Sequence, residues 1–175
     1  IEYTNQLIDI LINPLFNYLY NIYTNLYKND YFDFKTFRIK LEEIHIWNSE
    51  IVHNNVNNII KSSECDYFSD LITAVYLSYT RVLTNLNTNN NSKINLIVPN
   101  SENFIHKCFI NIARELWKNP YLYQDNIKAS DYQRNIKSIE IIISEGIEQT
   151  IRNTLPLKDI LKSHLDMNID KINID

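Results

Sequence analysis

Few side chains in this sequence could carry acid–base, metal or nucleophilic chemistry: four histidines (His45, His53, His106, His164) and two cysteines (Cys65, Cys108). A zinc site needs ligands paired at close spacing, as in CxxC or HExxH, so that a short stretch of chain aims two donors at one ion. Neither pattern occurs. His106 and Cys108 are two residues apart, which on a helix turns them about 160° away from each other. His45 and His53 could converge only through tertiary folding. Each histidine therefore reads as a surface or capping residue. There is no GxSxG elbow, and neither cysteine sits in a catalytic signature. Glu42–Glu43 and Glu145–Glu148 are acid pairs at helical spacing, where they read as solvated unless burial shifts their ionisation. The expectation is no catalytic residue, no metal and no cofactor: not an enzyme.

The glycine content points the same way. Gly146 is the single glycine of 175 residues, whereas average usage near 7% would give about a dozen. Phosphate-cradling loops and dinucleotide fingerprints need closely spaced glycines. Hairpin-rich sheet folds need them too. The sequence therefore predicts helices. Gly146 itself lies inside a helical pattern, where it costs about 0.5–1 kcal/mol relative to alanine. Two readings stay open: a close approach by another backbone or a bulky ring, with Trp47 or Trp117 as natural occupants, or a tolerated surface glycine.

The net charge of −4 gives no electrostatic reason to expect nucleic acid as a partner. Hydrophobic residues at 45% and charged residues at 22% suit a globular chain with a real core. Cys108, in an apolar helical setting, reads as a reduced core residue rather than a disulfide partner of Cys65. No apolar run reaches the roughly 20 residues of a bilayer-spanning helix. The nearest, residues 7–26, is broken by Asp9, Asn13, Pro14, Asn17, Asn21 and Asn25.

The elements follow from apolar periodicity. Tyr3, Leu7, Ile10, Leu11, Leu15, Leu19, Ile22 and Leu26 form the first stripe, with Pro14 predicting a kink or two abutting helices. Asp33 caps a second helix through Phe34, Phe37, Leu41 and Ile44 to Trp47. A third spans 48–61 with Ile51, Val52, Val56, Ile59 and Ile60 inward, and a fourth spans 67–86. The asparagine-rich stretch 85–91 reads as a loop and 94–98 as an extended connector. Asn100 or Ser101 caps a strong helix whose apolar face is Phe104, Ile105, Cys108, Phe109, Ile112 and Leu116, stopped by Pro120. Ser130 and Gln133 form a capping box for a helix along Tyr132, Ile136, Ile139, Ile143, Ile147 and Ile151. Ile141 and Ile142 widen its face. A last short helix carries Leu157, Ile160, Leu161 and Leu165 after Pro156. The fold class is an all-α bundle of about seven helices over residues 1–165, followed by an extended C-terminal arm, 166–175.

Two features are left for partners. Tyr20, Tyr23 and Tyr27 fall on neighbouring turns of one helical face, and tyrosine is enriched at protein interfaces. Met167, Ile169, Ile172 and Ile174 alternate with polar residues, as in an arm docking on a neighbour. The alternatives are ordinary half-buried aromatics and a frayed terminus.

The block FIHKCFINIARELWKNPYLY (104–123) resembles a signature of proteins of nucleocytoplasmic large DNA viruses. So do the following Arg134-Asn135, IEQTIR (147–152) and LPLKDIL (155–161). Phe37, Leu41, Ile44, Trp47 and LITAVY (71–76) are similar to the same family. The resemblance implies a non-enzymatic virion component, a minor capsid protein bridging or cementing capsid subunits. Its partners would be other major or minor capsid proteins, with self-association left open, and it would reside in the virion, assembled in the host cytoplasm. An intracellular helical adaptor binding a single partner is the alternative. Deletion of residues 167–175 is expected to leave the melting temperature unchanged and to weaken assembly. Unaffected assembly would identify a frayed end, and loss of folding a core segment.

Overall fold

The computed structural model describes residues 2–28, 31–84, 97–162 and 165. The expected fold class holds: α1 (Glu2–Asn25), α2 (Phe34–Glu43), α3 (Ser49–Ser62), α4 (Phe68–Thr84), α5 (Ser101–Lys118) and α6 (Ala129–Thr154) are followed by a seventh helix, α7, at residues 157–162. Helical 3₁₀ turns at Ile44–Ile46 and Pro120–Tyr123 finish α2 and follow α5. A two-residue antiparallel ladder, β1 (Tyr27–Lys28) with β2 (Tyr31–Phe32), pairs Tyr27 with Phe32 and Lys28 with Tyr31. This ladder is absent from the pattern of apolar periodicity, which marks only helices in that region. The asparagine-rich stretch 85–91, most of the 94–98 connector and the arm 166–175 lie outside the described residues.

Three expected helix starts have their capping chemistry in place. Asp33 accepts from the Lys35 amide at 3.0 Å and from the Thr36 hydroxyl at 2.6 Å. The Thr36 hydrogen bond holds its carboxyl below the ordinary range. Asn48 accepts from the Ile51 amide at 2.9 Å, and Asn100 from the Asn103 amide at 2.8 Å. Each satisfies an amide that the helix itself leaves unpaired. The fourth expectation fails. α6 begins two residues earlier, at Ala129, with Lys128 as its flanking residue and no side-chain cap, so Ser130 lies within the first turn. Pro14 does not divide α1, which runs unbroken through it. Only the Ile10 carbonyl forfeits its helical donor there, and the buried ring of Pro14 adds to the packed face.

α5 holds the assembly together. Phe104, Ile105, Cys108, Phe109, Ile112 and Leu116 are all fully buried, and the helix meets α6, α2, α3 and α4. α1 joins it through Leu7, Leu11, Leu15 and Leu19, packing on α6, α4, α3 and α2. Tyr23 belongs to this core and not to a docking face. It is 1% exposed, stacked on Phe32 with centroids 3.9 Å apart and edge-on to Phe37. Tyr20 is half-buried against Phe16 and Tyr123. The aromatic excess is thus spent largely inside. Trp47 likewise packs among Tyr18, Phe109 and the parallel ring of His106.

Several outward residues differ from the stripe reading. Ile51 in α3 and Ile141 in α6 are exposed, and in the last helix Ile160 is buried while Leu157, Leu161 and Leu165 face solvent. Period alone marks a side of a helix; the position of the neighbouring helix decides how wide that side is covered.

Gly146 resolves in favour of close approach, with a different occupant from either tryptophan. It is buried in α6, and a Cβ there would lie 2.5 Å from Ile112 Cγ1 of α5. That atom is attached directly to a β-branched carbon with stiff χ1, so it cannot swing clear. Beside it the Thr150 hydroxyl donates to the Gly146 carbonyl and accepts from the Asn111 amide, each at 2.8 Å. Gly146→Ala is expected to lower stability by about 1–2 kcal/mol, because overpacking of about 1–3 kcal/mol exceeds the gain in helix propensity. Thermal melts of a double-mutant cycle with Ile112→Ala check this. The glycine substitution should cost less in the Ile112→Ala background, and an equal cost in both would exclude the contact.

Candidate functional site

The buried face of α5 fixes what its opposite side can offer. Lys107, Ile110, Arg114, Trp117 and Lys118 recur at three- and four-residue steps and therefore share one outward stripe. α2 and its 3₁₀ extension bring Arg38, Leu41, Glu42 and His45 alongside. Between them lies an open cleft of about 470 Å³, lined by Leu41, Glu42, His45, Ile110, Ala113, Arg114, Trp117 and Lys118. Its floor is aliphatic, from Leu41, Ile110 and Ala113, and its rim is charged.

Trp117 is held at the mouth from three directions. Its indole N–H donates to Glu42 Oε1 at 2.8 Å. The Arg38 guanidinium lies 4.7 Å over its ring and donates through Nε to the Trp117 carbonyl at 3.0 Å. The ring is still 39% exposed. Its orientation is therefore set before any partner arrives, which lowers the entropic cost of binding. The His45 imidazole is anchored through Nδ1 at the Glu42 carbonyl. Lys118 pairs with Glu115 at 3.1 Å. Arg114 is exposed and forms no hydrogen bond or ion pair among the described residues.

A second, smaller cleft of about 260 Å³ shares Ile110 with the first. It is lined by Lys107, Ile110, Asn111, Thr150, Asn153 and Thr154, between α5 and the end of α6. The two clefts flank the outward stripe of α5, which runs about 15 Å from Lys107 to Trp117 at 1.5 Å per residue; stripe and clefts together are termed the trough.

Of the histidines and cysteines among the described residues, His45 lines this cleft and the others lie elsewhere. Cys108 and Cys65 are free and buried; burial pushes the Cys108 thiol up to about 12, so it stays protonated at neutral pH. His53 contacts Glu102 and Asn57 on the surface. His106 Nε2 meets the Ile44 carbonyl at 2.7 Å, and His164 is outside the described residues. No cluster of three metal-ligating side chains occurs among the described residues, and no helix among them is long and apolar enough to cross a membrane. Glu42 is engaged with Trp117, Glu43 with Lys40, and Glu148 with Arg152.

Of the residues expected to meet partners, Tyr20 lines the aromatic core's edge and Tyr23 its interior. The side chain of Tyr27 and the whole of Met167, Ile169, Ile172 and Ile174 lie outside the described residues. The Trp117 trough is not among the expectations from sequence, which placed Trp117 near a helix end and as one candidate occupant of the space at Gly146. A signal was present: on α5 the positions between the buried ones carry an aromatic ring and three cations at helical spacing. The contribution of α2, 75 to 79 residues distant in sequence, was not legible.

Comparison with known proteins adds one finding: residues 1–124 match DUF5764, described as a family of unknown function. The matched span takes in α1 to α5 and the 3₁₀ turn after α5, hence the α2–α5 cleft with its tryptophan. No curated protein and no solved structure matches the chain.

Burial has a consequence for alkaline stability. Cys108 and Tyr76 are both pushed up to about 12 from ordinary values of 9.0 and 10.0, and Tyr123 is raised further still, in each case chiefly by desolvation. These groups are neutral when protonated. The unfolded chain loses their protons first, so stability is intact below pH 9 and declines as pH climbs towards about 12. Chemical denaturation at stepped pH should show that decline, with Tyr76→Phe making it shallower between pH 10 and 12. An unchanged slope in Tyr76→Phe would contradict the assignment.

Proposed function

We propose that this chain, which belongs to the DUF5764 family, is a non-enzymatic interaction protein that docks a partner on the Trp117 cleft. The observation that carries the proposal is the preset ring: a half-exposed tryptophan, clamped by Arg38 and Glu42, over an apolar floor. Tryptophan and arginine are the residues most enriched at the energetic centres of protein interfaces. The two described cysteines are buried and remote from this cleft, and the two ionisable groups on its α2 side are engaged within the protein: Glu42 with the Trp117 indole and His45 Nδ1 with the Glu42 carbonyl. The proposed setting is the one implied by the viral resemblance: a structural component of the virion of a large DNA virus, acting as a minor capsid protein that bridges capsid subunits. An adaptor that binds one partner reversibly would use the same cleft.

Photo-crosslinking from Arg114 in purified particles distinguishes the two settings. A shell component crosslinks to capsid proteins and co-purifies at fixed stoichiometry; an adaptor is absent from particles and exchanges with one soluble partner. Trp117→Ala should remove the crosslink while costing about 1–2 kcal/mol of stability, the sum of one hydrogen bond and one exposed cation–π contact. Arg114→Glu, with its side chain in solvent, should leave stability unchanged. Crosslinks that persist in Trp117→Ala would place docking elsewhere on the molecule.

A further inference from the structure

We infer that the trough along α5 accepts an acidic amphipathic helix from another protein, two to three turns long, with an aliphatic face between two carboxylates. This rests on the docking proposal and specifies its partner. The length follows from the outward stripe of α5, which runs about 15 Å from Lys107 to Trp117, or ten residues of a helix lying beside it. The apolar face follows from the floor: Leu41, Ile110 and Ala113, walled by Trp117.

The sign of the charge follows from which rim groups are already committed. Glu42 gives one oxygen to the Trp117 indole, and Glu115 is held by Lys118. Arg38, held on the Trp117 carbonyl and ring, keeps its positive charge and offsets that of Glu42. Arg114 and Lys107 remain, exposed and without hydrogen bonds or ion pairs among the described residues. Both lie on the outward stripe of a chain whose net charge is −4, so the trough differs in sign from the molecule around it. Arginine presents a planar fork that suits a carboxylate in bidentate geometry. Lys107 and Arg114 are seven residues apart, about 10.5 Å or two helical turns. The docking helix therefore carries its acids at i and i+7 and its aliphatic anchors between them, the helix-in-groove mode of recognition.

A display library of random helix-biased peptides of about 14 residues, selected against the full chain, tests both levels. Enriched peptides should carry Asp or Glu at i and i+7 flanking Leu, Ile or Met. They should lose at least tenfold in affinity for Arg114→Glu and for Lys107→Glu. Replacing both acids by lysine should restore binding to the Lys107→Glu/Arg114→Glu double variant, and that rescue shows that the variants are folded. Neutral or basic consensus peptides whose binding still requires Trp117 would overturn the acidic partner and leave the docking reading standing. Failure to enrich any peptide dependent on Trp117 would overturn both. Displacement of the selected peptides by a synthetic segment 166–175 at equal affinity would assign the trough to the chain's own C-terminus, and so overturn a foreign occupant.

Discussion

The apposition of α5 and α6 is the constraint on which the rest of the molecule depends. Ile112 fits against the bare backbone of Gly146, so the two helices approach more closely there than any side chain on α6 would permit. That approach brings Thr150 within reach of Asn111 and lets a polar pair sit satisfied inside an aliphatic interface. It also settles which way α5 is turned. With one side filled by α6 and the adjoining side by α2 and α3, the stripe from Lys107 to Lys118 faces outward.

The trough is thus a by-product of core packing as much as a surface feature. Trp117 cannot join the core, because Leu116 already fills the inward position at that turn. It turns instead towards α2, where Glu42 and Arg38 supply the polar partners that an indole requires. These contacts make the ring rigid, and rigidity is what lets a modest apolar area bind with specificity. The uncommitted cations on the same stripe then give the trough a sign. In the proposed role the protein contributes shape and charge to an assembly and leaves chemistry to others.

Aromatic residues show how a correct class of residue can suggest the wrong location. Tyrosines crowding the first third of the chain read as an interface because nothing in the local sequence offers them an interior. The interior comes from far away: Tyr23 meets Tyr123, and the Tyr123 hydroxyl donates to the Phe16 carbonyl at 3.0 Å. Tyr18 likewise finds Trp47 and Phe109. Burial then raises the Tyr123 phenol well above its ordinary value. Partner and pKa alike follow from tertiary proximity.

What the sequence determined alone was a set of properties fixed by neighbours within a turn or two: the helical class, the caps at Asp33 and Asn100, and the buried stripe of α5. Those depend on backbone amides and side chains three or four residues apart, and the chain writes such distances directly. Only the tertiary structure decided that Ile112 rather than a tryptophan fills the space at Gly146, that Tyr23 is core, that Leu161 is exposed, and that Trp117 meets Arg38 and Glu42. Each of these is a contact between segments whose spacing in sequence carries no record of their spacing in space, so it exists only once the helices have been packed.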